Sequence, residues 1–505
     1  MRPTCHLAWK LSILATAGLL VAITGRAAEP GAAAGAARTE RFDHDPNWDG
    51  HNNRIGAGRP PVWVRQAFGY SGTNRAGGAA AGEVGGFVTP AAEPALYAAV
   101  LDAGLSFERP LTASGKLAVP RGGGNVLVGF FNRGTLNEWR TPNTVVLRVN
   151  ARGDEGFHVH VEYCTGRWRA GADVFGAVDP ATGKKVAKLF APGASHAWSM
   201  RYDPAANEGG GAIVATCDGD ELTVNLDADH RADGATFDRF GILNVLKSFD
   251  GGGEVWLDDL DVNGARHHFD ADPQWEGVDN RREYETRNVR PWFDFGFSPT
   301  NHAGGAAAGE VGGLLFRGDQ RYADKVAYYG DRLDGELSLD DPLEAGGRVC
   351  LRRGVTDSTV LLGFFHAEGS MRVADAQRSG FPENFLGVAI EGPSRDGFYF
   401  YPVYTTDEEA TGGYAPGGAD PPPPQILPDG ASHAWTLRYD PAANGGRGRM
   451  TVTLDGRSVT LDLAEGHRTI GARFNRFGFV TTHIDGNGQE VFADDLTYTA
   501  SRPPR

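Results

Sequence analysis

Hydrophobic residues along this chain fall into short runs separated by turns rich in glycine, aspartate and proline. Two runs, 126–131 and 359–365, are continuously apolar, which is typical of strands buried on both faces. Two others, 156–163 and 397–404, alternate with period two, as strands with one exposed face do. No segment combines a helical period with helix caps. The pattern predicts an antiparallel all-β protein of the sandwich type.

The order of these runs occurs twice. The segment Ala-Gly-Gly-Ala-Ala-Ala-Gly-Glu-Val-Gly-Gly is identical at 76–86 and 303–313, and a Phe-Asp-x-Asp-Pro-x-Trp segment opens each copy at 42–48 and 269–275. Copies of this size are domains rather than solenoid units. We therefore predict two tandem antiparallel β-sandwich domains, 42–267 and 268–500.

The second copy carries insertions, which belong in surface loops. The longest, 405–428, contains paired glycines and a run of prolines. It is either a solvated loop or a lid over a cleft.

The N-terminus predicts export. Residues 1–28 have a basic start, a short apolar run and small residues for cleavage, as signal peptides do, and residues 29–41 read as a disordered linker. The apolar run is shorter than the roughly 20 residues that span a bilayer, so no membrane span is expected after cleavage. We expect the protein to be secreted, periplasmic or on the cell surface.

The charge of the chain excludes some classes of binding partner, and its cysteines leave the question of a disulfide open. The formal net charge is −15, and cleavage would remove Arg2, Lys10 and Arg26, so the mature chain is more acidic. This acidity argues against nucleic acid and anionic membranes as partners and suits a neutral glycan or Ca²⁺. Cys164 and Cys217 can either form a bridge or remain buried thiols.

Towards the end of each copy the strands have a recognisable order. A His-x-Trp-x-x-x-Tyr-Asp strand, an Asp-Gly hairpin, a Phe-Gly strand and a closing Asp-Asp-Leu strand occupy 193–263 and 430–499. This order resembles concanavalin A-like jelly rolls, including laminin-G-like domains. The whole repeat also looks like an uncharacterised family of exported bacterial proteins. The resemblance implies a jelly-roll fold whose concave sheet holds sugars.

Catalytic motifs of the similar enzymes are not found. The Glu-x-Asp-x-x-Glu strand of family-16-type hydrolases does not occur, and the lyase-type Gln-x-His and Tyr-x-Lys patterns do not match. The interpretation leans away from an enzyme. The rival, a glycoside hydrolase or polysaccharide lyase, would need unfamiliar acids, namely Glu83, Glu162, Glu310 or Glu391.

Candidate ligand-binding residues come from three places. The alternating strands present one set, the loop after Gly-Phe-Phe presents a Trp between two charges, and the identical segments present one acid each. The residues are His158, His160, Glu162, Tyr399, Tyr401 and Tyr404; Trp139, Glu138 and Arg140; and Glu83 and Glu310. Each has a structural alternative: aromatic residues in the core, a Trp folded back onto the sandwich, and glutamates that cap backbone N–H groups.

Aspartates near the ends of each copy suggest a structural Ca²⁺ site, since Ca²⁺ takes six to eight oxygens. The predicted ligand sets are Asp259 with Asp43 or Asp45, and Asp495 with Asp270 or Asp272. Ordinary turn acids are the alternative.

These observations predict an exported, lectin-like protein that binds a polysaccharide or glycan through both duplicated domains, with avidity from the pair. The enzyme is the first alternative and a structural cell-envelope protein the second. The sequence leaves the oligomeric state open.

Overall fold

The computed structural model describes residues 35–55, 60–120, 123–137, 139, 141–374, 380–392, 397–408, 410–414 and 421–502. The predicted signal peptide lies outside these ranges. Within them, no helix is both long enough and apolar enough to cross a membrane. The all-β prediction is confirmed, because the described residues form antiparallel sheets with only short helical turns.

The first sandwich consists of two sheets. Sheet I runs, from edge to edge, through β15 (Asp220–Asn225), β14 (Ala212–Cys217), β13 (Ser195–Asp203), β6 (Leu111–Ala118), β17 (Gly253–Val262), β4 (Glu83–Val88), β3 (Val62–Ser71) and β20 (Arg281–Thr286), with β18 (Ala265–His267) beside β17. Sheet II runs through β10 (Ala170–Val174), β9 (Phe157–Cys164), β8 (Thr144–Arg152), β7 (Gly123–Phe131), β16 (Thr236–Asn244), β5 (Leu96–Ser106) and β19 (Glu276–Val278). A separate hairpin joins β11 (Gly176–Val178) and β12 (Lys185–Ala187).

The second sandwich repeats this plan. Sheet III runs through β21 (Phe293–Ser298), β22 (Glu310–Phe316), β33 (Gly488–Thr499), β24 (Leu343–Gly354), β29 (Ser432–Asp440), β30 (Arg449–Leu454) and β31 (Arg457–Asp462), with β1 (Ala37–Glu40) beside β33. Sheet IV runs through β2 (Asp49–His51), β23 (Tyr328–Ser338), β32 (Arg473–Val480), β25 (Ser358–Phe365), β26 (Phe385–Gly392), β27 (Tyr399–Thr405) and β28 (Thr411–Gly413).

Helical turns occupy only connections. They are α1 (His230–Asp233), α2 (Ala443–Gly446) and α3 (His467–Ile470), and the 3₁₀ turns Arg133–Thr135, Gly153–Glu155, Asn207–Gly209 and Ala323–Lys325.

Each sandwich has its own core between its two sheets. In the first, Trp198 and Tyr202 from sheet I pack with Phe130 and Phe237 from sheet II. The Tyr202 hydroxyl donates a 2.8 Å hydrogen bond to the Phe107 carbonyl, which satisfies its one polar atom. The inward side chains alternate with outward ones along each strand, so the period-two pattern determines which residues can form a site.

The segment that opens each sequence copy does not pack on the sandwich formed by the rest of that copy. It packs on the other sandwich, and we call it the exchanged segment. The opening segment of the first copy lies on the second sandwich, where β1 pairs with β33 and β2 pairs with β23. The opening segment of the second copy lies on the first sandwich, where β19 pairs with β5 and β20 with β3. Each sandwich is therefore closed by the segment that opens the other sequence repeat.

Aromatic packing and one ion pair fix the exchanged segment on the second sandwich. Phe42 and Trp48 are 2% and 8% exposed and pack edge to face at 5.3 Å within that core. The Arg476 guanidinium, from the Phe-x-Arg-Phe-Gly strand, donates to the Asp49 carboxylate at 2.7 Å. The repeated Arg therefore serves to hold the exchanged segment.

The first sandwich makes equivalent contacts. Phe269 and Trp275 pack edge to face at 5.4 Å, and Arg239 pairs with Glu276 at 2.6 Å. Because the same contacts occur twice, the exchange is a property of the repeat unit.

This exchange corrects the predicted boundaries. The first sandwich comprises residues of 62–287, and the second comprises residues of 35–55 together with 293–500. The repeat extends to Ala37, since β1 occupies the place beside β33 that β18 occupies beside β17. The part of the linker that the structure describes is thus a strand, not a disordered segment.

Of the two alternatives left open for Cys164 and Cys217, the structure has the buried thiols and not the bridge. Cys164 and Cys217 are free and buried, and so is Cys350. Burial raises the pKa of the Cys217 thiol to about 12, so it is an unreactive core residue.

Candidate ligand-binding cleft

A cleft of about 490 Å³ lies between the outer face of sheet II and loops of the second sandwich. Its described lining combines apolar, hydroxyl and charged side chains. The lining includes Leu127, Val146, Arg148, His160, Glu162, Lys247, Arg290, Thr356, Asp357 and Asn487.

Strands β8 and β9 build the polar wall. Arg148 lies directly opposite His160 across the two strands, and its guanidinium pairs with the Glu162 carboxylate at 2.7 Å. These side chains point outward because their neighbours Leu147 and Val161 point into the core. Both members of the ion pair keep solvent access, with 32% and 22% of their side chains exposed.

The floor of the cleft is apolar. Leu127 and Val146 belong to a small cluster on the outer face of sheet II, together with Leu96, Phe131 and Leu243. A polar wall above an apolar floor can hold a ligand that has both hydroxyl groups and C–H faces.

The opposite wall comes from the second sandwich, from the connection between the two sandwiches and, at Lys247, from the loop after β16 of the first. Asn487 accepts a 3.1 Å hydrogen bond from the Ser248 hydroxyl, which ties that wall to the first sandwich. Asp357 is bound by Arg317 at 2.5 Å and Lys247 by Asp250 at 2.5 Å. Arg290 is exposed at the edge of this wall.

His158 shares the face of His160 and Glu162, as predicted, but is not among the residues that line the cleft. One ring nitrogen lies 2.8 Å from the Lys188 carbonyl oxygen, beside the β11–β12 hairpin. Of the three residues predicted on this strand, His160 and Glu162 therefore form part of the cleft.

The counterpart face of sheet IV is closed. Tyr399 and Tyr401 are 8% and 3% exposed and belong to an apolar cluster with Phe385 and Val403. The ligand-binding prediction for Tyr399 and Tyr401 is wrong because the chain itself covers them. The covering residues are Ala367, Met371, Phe381 and Tyr414.

The insertion supplies part of this cover. Tyr414 packs on the cluster, and Ile426 is fully buried beside Phe398, whose carbonyl accepts its N–H at 3.1 Å. The described ends of the insertion are therefore packed against the sheet.

Tyr404 faces the core of its sandwich. It is 1% exposed, and its hydroxyl lies 2.8 Å from a ring nitrogen of His467 and accepts from the Ala464 N–H at 3.0 Å. The first sandwich has the same arrangement at Tyr163 and His230, 2.9 Å apart. Tyr404 is a repeated structural residue and does not contact a ligand surface.

The two identical segments are structural. Glu83 is fully buried and accepts hydrogen bonds from the Thr73 hydroxyl at 2.5 Å and from the N–H groups of Arg75 and Ala76 at 2.8 and 2.7 Å. Glu310 accepts equivalent bonds at Thr300, His302 and Ala303. The ligand-binding prediction for these glutamates is wrong, because their oxygens are used to cap backbone N–H groups of their own loop.

Small residues in these segments allow close packing. A Cβ on Gly82, whose φ is +129°, would lie 1.8 Å from the Phe269 carbonyl oxygen, and one on Gly309 would lie 1.8 Å from that of Phe42. The identical segment is thus the place where each exchanged segment meets its sandwich.

A second buried acid lies under each segment. Asp258 and Asp494 are fully buried against Gly78 and Gly305. Burial, together with the charge of the neighbouring aspartate and of the capping glutamate, raises the pKa of each carboxyl to about 6.

The structure does not assemble the predicted Ca²⁺ ligands. Asp45 and Asp272 each lie in a tight turn, and each carboxylate accepts from a tyrosine, Tyr329 at 3.4 Å and Tyr97 at 3.0 Å. The exposed Asp43 follows Phe42 onto the second sandwich, so neither it nor Asp45 can join Asp259.

Asp259 pairs instead with Lys116 at 2.9 Å and lies 3.1 Å from His268. Asp270 is exposed at the start of the exchanged segment on the first sandwich, whereas Asp495 lies on β33 of the second. In the described ranges no three His, Cys, Asp or Glu side chains are grouped so that they could hold a metal ion.

Trp139 links the two sandwiches. It is 1% exposed and packs on Phe316 of the second sandwich at 5.3 Å, and it also belongs to the lining of the cleft. Its ring is therefore not an exposed platform for a sugar, although it lies at the cleft. Its predicted clamps, Glu138 and Arg140, lie outside the described residues.

The sequence reasoning missed Arg148 and most of the opposite wall. Arg148 had a readable signal, since it is the one charged residue in the apolar run 145–149. Arg290, Asp357 and Asn487 had none, because they reach the cleft only through the packing of one sandwich on the other. Lys247 had none because it lies in the loop after β16, whose course the local pattern does not predict.

Comparisons with known proteins leave the chain unassigned. No family model and no curated protein matches it. An alginate lyase, Aly36B, solved with an alginate trisaccharide, is similar at 12% identity and a TM-score of 0.25, over 38% of this chain and 82% of the lyase. The binding domain of botulinum neurotoxin serotype G is similar at 7% identity and a TM-score of 0.21, over 88% and 95% of the two chains. A sialidase from Trypanosoma rangeli is similar at 11% identity and a TM-score of 0.21, over 74% and 64%. At these values none of them assigns a family or an activity to this chain.

Proposed function

We propose that this protein is exported and binds a saccharide in the cleft over sheet II. The observation that carries the proposal is the contrast between the two copies. Arg148, His160 and Glu162 of the first sandwich line an open cleft, whereas the counterpart face of the second sandwich is covered by its own chain.

The chemistry of the cleft suits a sugar. Leu127 and Val146 offer an apolar floor for the C–H face of a ring, and Arg148 and Glu162 offer donors and acceptors for hydroxyl groups. The volume of about 490 Å³ lies in the usual range of small-molecule sites, roughly 300–1,000 Å³.

Of the two equivalent faces that the structure describes, one then carries such a site. Avidity between duplicated sites requires an open face on both sandwiches, and the burial of Tyr399 and Tyr401 contradicts that part of the prediction.

Binding fits the cleft better than hydrolysis does. Of the four acids that the enzyme alternative needs, Glu83 and Glu310 are buried caps. Glu391 is bound to Arg317 at 3.0 Å and to the Tyr401 hydroxyl, beneath the closed face. Glu162 alone among these four lines the cleft, and the other described carboxylate of the lining is Asp357. Both are held in ion pairs with arginines, whereas the usual glycosidase mechanism needs one of its two carboxyl groups as a proton donor.

The test is a glycan array followed by titration of the saccharides that bind. The double variant Arg148→Gln/Glu162→Gln removes the charges of the polar wall, and we expect at least about tenfold weaker binding from the loss of hydrogen bonds to charged groups. The free energy of unfolding should change little, because both side chains of the pair remain partly exposed to solvent.

The matched control is Arg449→Gln/Asp462→Asn, which removes an exposed pair of 2.5 Å from sheet III, outside the cleft lining. Equal weakening by both double variants, or an array without any bound glycan, would overturn the proposal. Release of new reducing ends from a bound glycan by the wild type would establish the enzyme alternative instead.

A further inference from the structure

The charges around the cleft are unevenly paired. Arg148, Lys247 and Arg290 are its described basic lining residues apart from His160, and each comes from a different element. Two of the three are already neutralised, Arg148 by Glu162 at 2.7 Å and Lys247 by Asp250 at 2.5 Å.

The acids of the cleft are also taken. Glu162 is the partner of Arg148, and Asp357 is bound by Arg317 at 2.5 Å. These ion pairs leave no described carboxylate of the lining for Arg290.

Arg290 is therefore a surplus cation at the edge of the cleft. No described carboxylate oxygen lies within 4.0 Å of the Arg290 guanidinium nitrogens. Asp250 interacts with Arg290 only at longer range. Its side chain is exposed, on the connection between the two sandwiches. A guanidinium at the edge of a cleft, with no described carboxylate as its ion-pair partner, suits an anionic group on a ligand.

We propose that the saccharide bound in the cleft is acidic and that Arg290 binds its carboxylate. This inference rests on the proposed function and names the substrate class of that site. A carboxylate matches the planar fork of a guanidinium, with two parallel N–H···O bonds. The hydroxyl groups of the same sugar then face the polar wall of Arg148 and Glu162, where a second negative charge would be repelled by Glu162.

The test compares charged and neutral forms of the same polymers. Polygalacturonate and hyaluronan oligosaccharides are titrated against the wild type by calorimetry, beside their carboxyl methyl esters and neutral xylan and cellulose oligosaccharides. We expect a free uronate form to bind about tenfold more tightly than its ester, since a hydrogen bond to a charged group is stronger than one to a neutral group.

Variants then locate the effect. Arg290→Gln should reduce affinity for the free uronate about 5- to 10-fold and leave affinity for the ester unchanged. Arg287→Gln is the matched control, because Arg287 is exposed on the same connection, carries the same charge and is not among the lining residues. A loss confined to Arg290→Gln supports the inference.

Three outcomes overturn it. Esters or neutral oligosaccharides that bind as tightly as free uronates would leave the proposed function intact and reject the acidic class. Equal weakening by Arg287→Gln and Arg290→Gln would reduce the effect to net charge. Preference for a sulfated oligosaccharide over every uronate would reject the carboxylate. Failure of all these saccharides and of the glycan array would reject the proposed function itself.

Discussion

Equivalent faces of the two sandwiches differ in exposure, since one lines a cleft and the other is buried. On sheet II the positions of Arg148, His160 and Glu162 face a cleft, and on sheet IV the aligned positions hold Ala389, Tyr401 and Val403 inside an apolar cluster. The backbone pairing is the same in both, so the difference lies in side chains and in the insertions that cover them. The same strand pairing therefore accommodates a cleft on one sandwich and a buried apolar face on the other.

The largest test of this contrast compares Tyr401→Ala with His160→Ala, at matching strand positions. Tyr401 is buried and donates to Glu391, so its truncation should reduce the free energy of unfolding by about 3–5 kcal/mol. His160 is half-buried at the cleft, and its truncation should change stability by less than about 1 kcal/mol. Urea denaturation measures both; similar losses would mean that the two faces do not differ.

The next largest effect is the pH dependence of stability that comes from the equivalent buried aspartates of the two sandwiches. The folded pKa of Asp258 and Asp494 is raised to about 6 from 3.8, so the folded state retains protons that the unfolded state has lost. Stability should therefore fall as pH rises from about 4 to 6 and stay reduced above that, by at most about 3 kcal/mol per site.

Asp258→Asn/Asp494→Asn should flatten this pH dependence, whatever its effect on stability at low pH. The measurement is the free energy of unfolding between pH 4 and 7.5. An unchanged slope in the double variant would assign the pH dependence to other groups.

A smaller effect tests the exchanged segments. Asp49→Asn should destabilise the second sandwich by about 1–3 kcal/mol, since Arg476 would lose its partner while 9% exposed. Glu276→Gln should do the same to the first sandwich through Arg239. Hydrogen exchange resolved by peptide identifies which sandwich loosens. Loosening of the first sandwich by Asp49→Asn would contradict the exchange.

The smallest expected effect is that of reducing agent. The described cysteines are buried thiols, so dithiothreitol should change the free energy of unfolding by less than about 0.5 kcal/mol. A loss of several kcal/mol would indicate a disulfide in the first sandwich.

Local patterns predicted the strands well and the site in part. The alternation around His160 and the turn at Asp218-Gly219 are short-range signals, and both are present in the structure as expected. Whether an outward face is open depends on distant segments, so Tyr401 and His160 looked alike in sequence. The sequence likewise did not show that Glu83 caps Thr73, Arg75 and Ala76, because these residues come close to it only when the loop folds back.

The exchange of segments could not be predicted from the repeat. An internal repeat shows which stretches are equivalent but not which copy each stretch completes. Phe42 and Phe269 have the same local sequence context in either arrangement, and only contacts between distant segments, such as those with Gly309 and Gly82, distinguish the two.

The position of β1 beside β33 has a consequence for the order of events during synthesis. The first sandwich receives its closing strands directly after its other strands have been made. The second must wait for β33, although β1 and β2 are the first of the described strands to emerge from the ribosome. Enlarging a closed loop adds only about 0.6 kcal/mol per doubling of its length, so the delay is one of time rather than of final stability. Closure of the second sandwich therefore marks the completion of translation through residue 499.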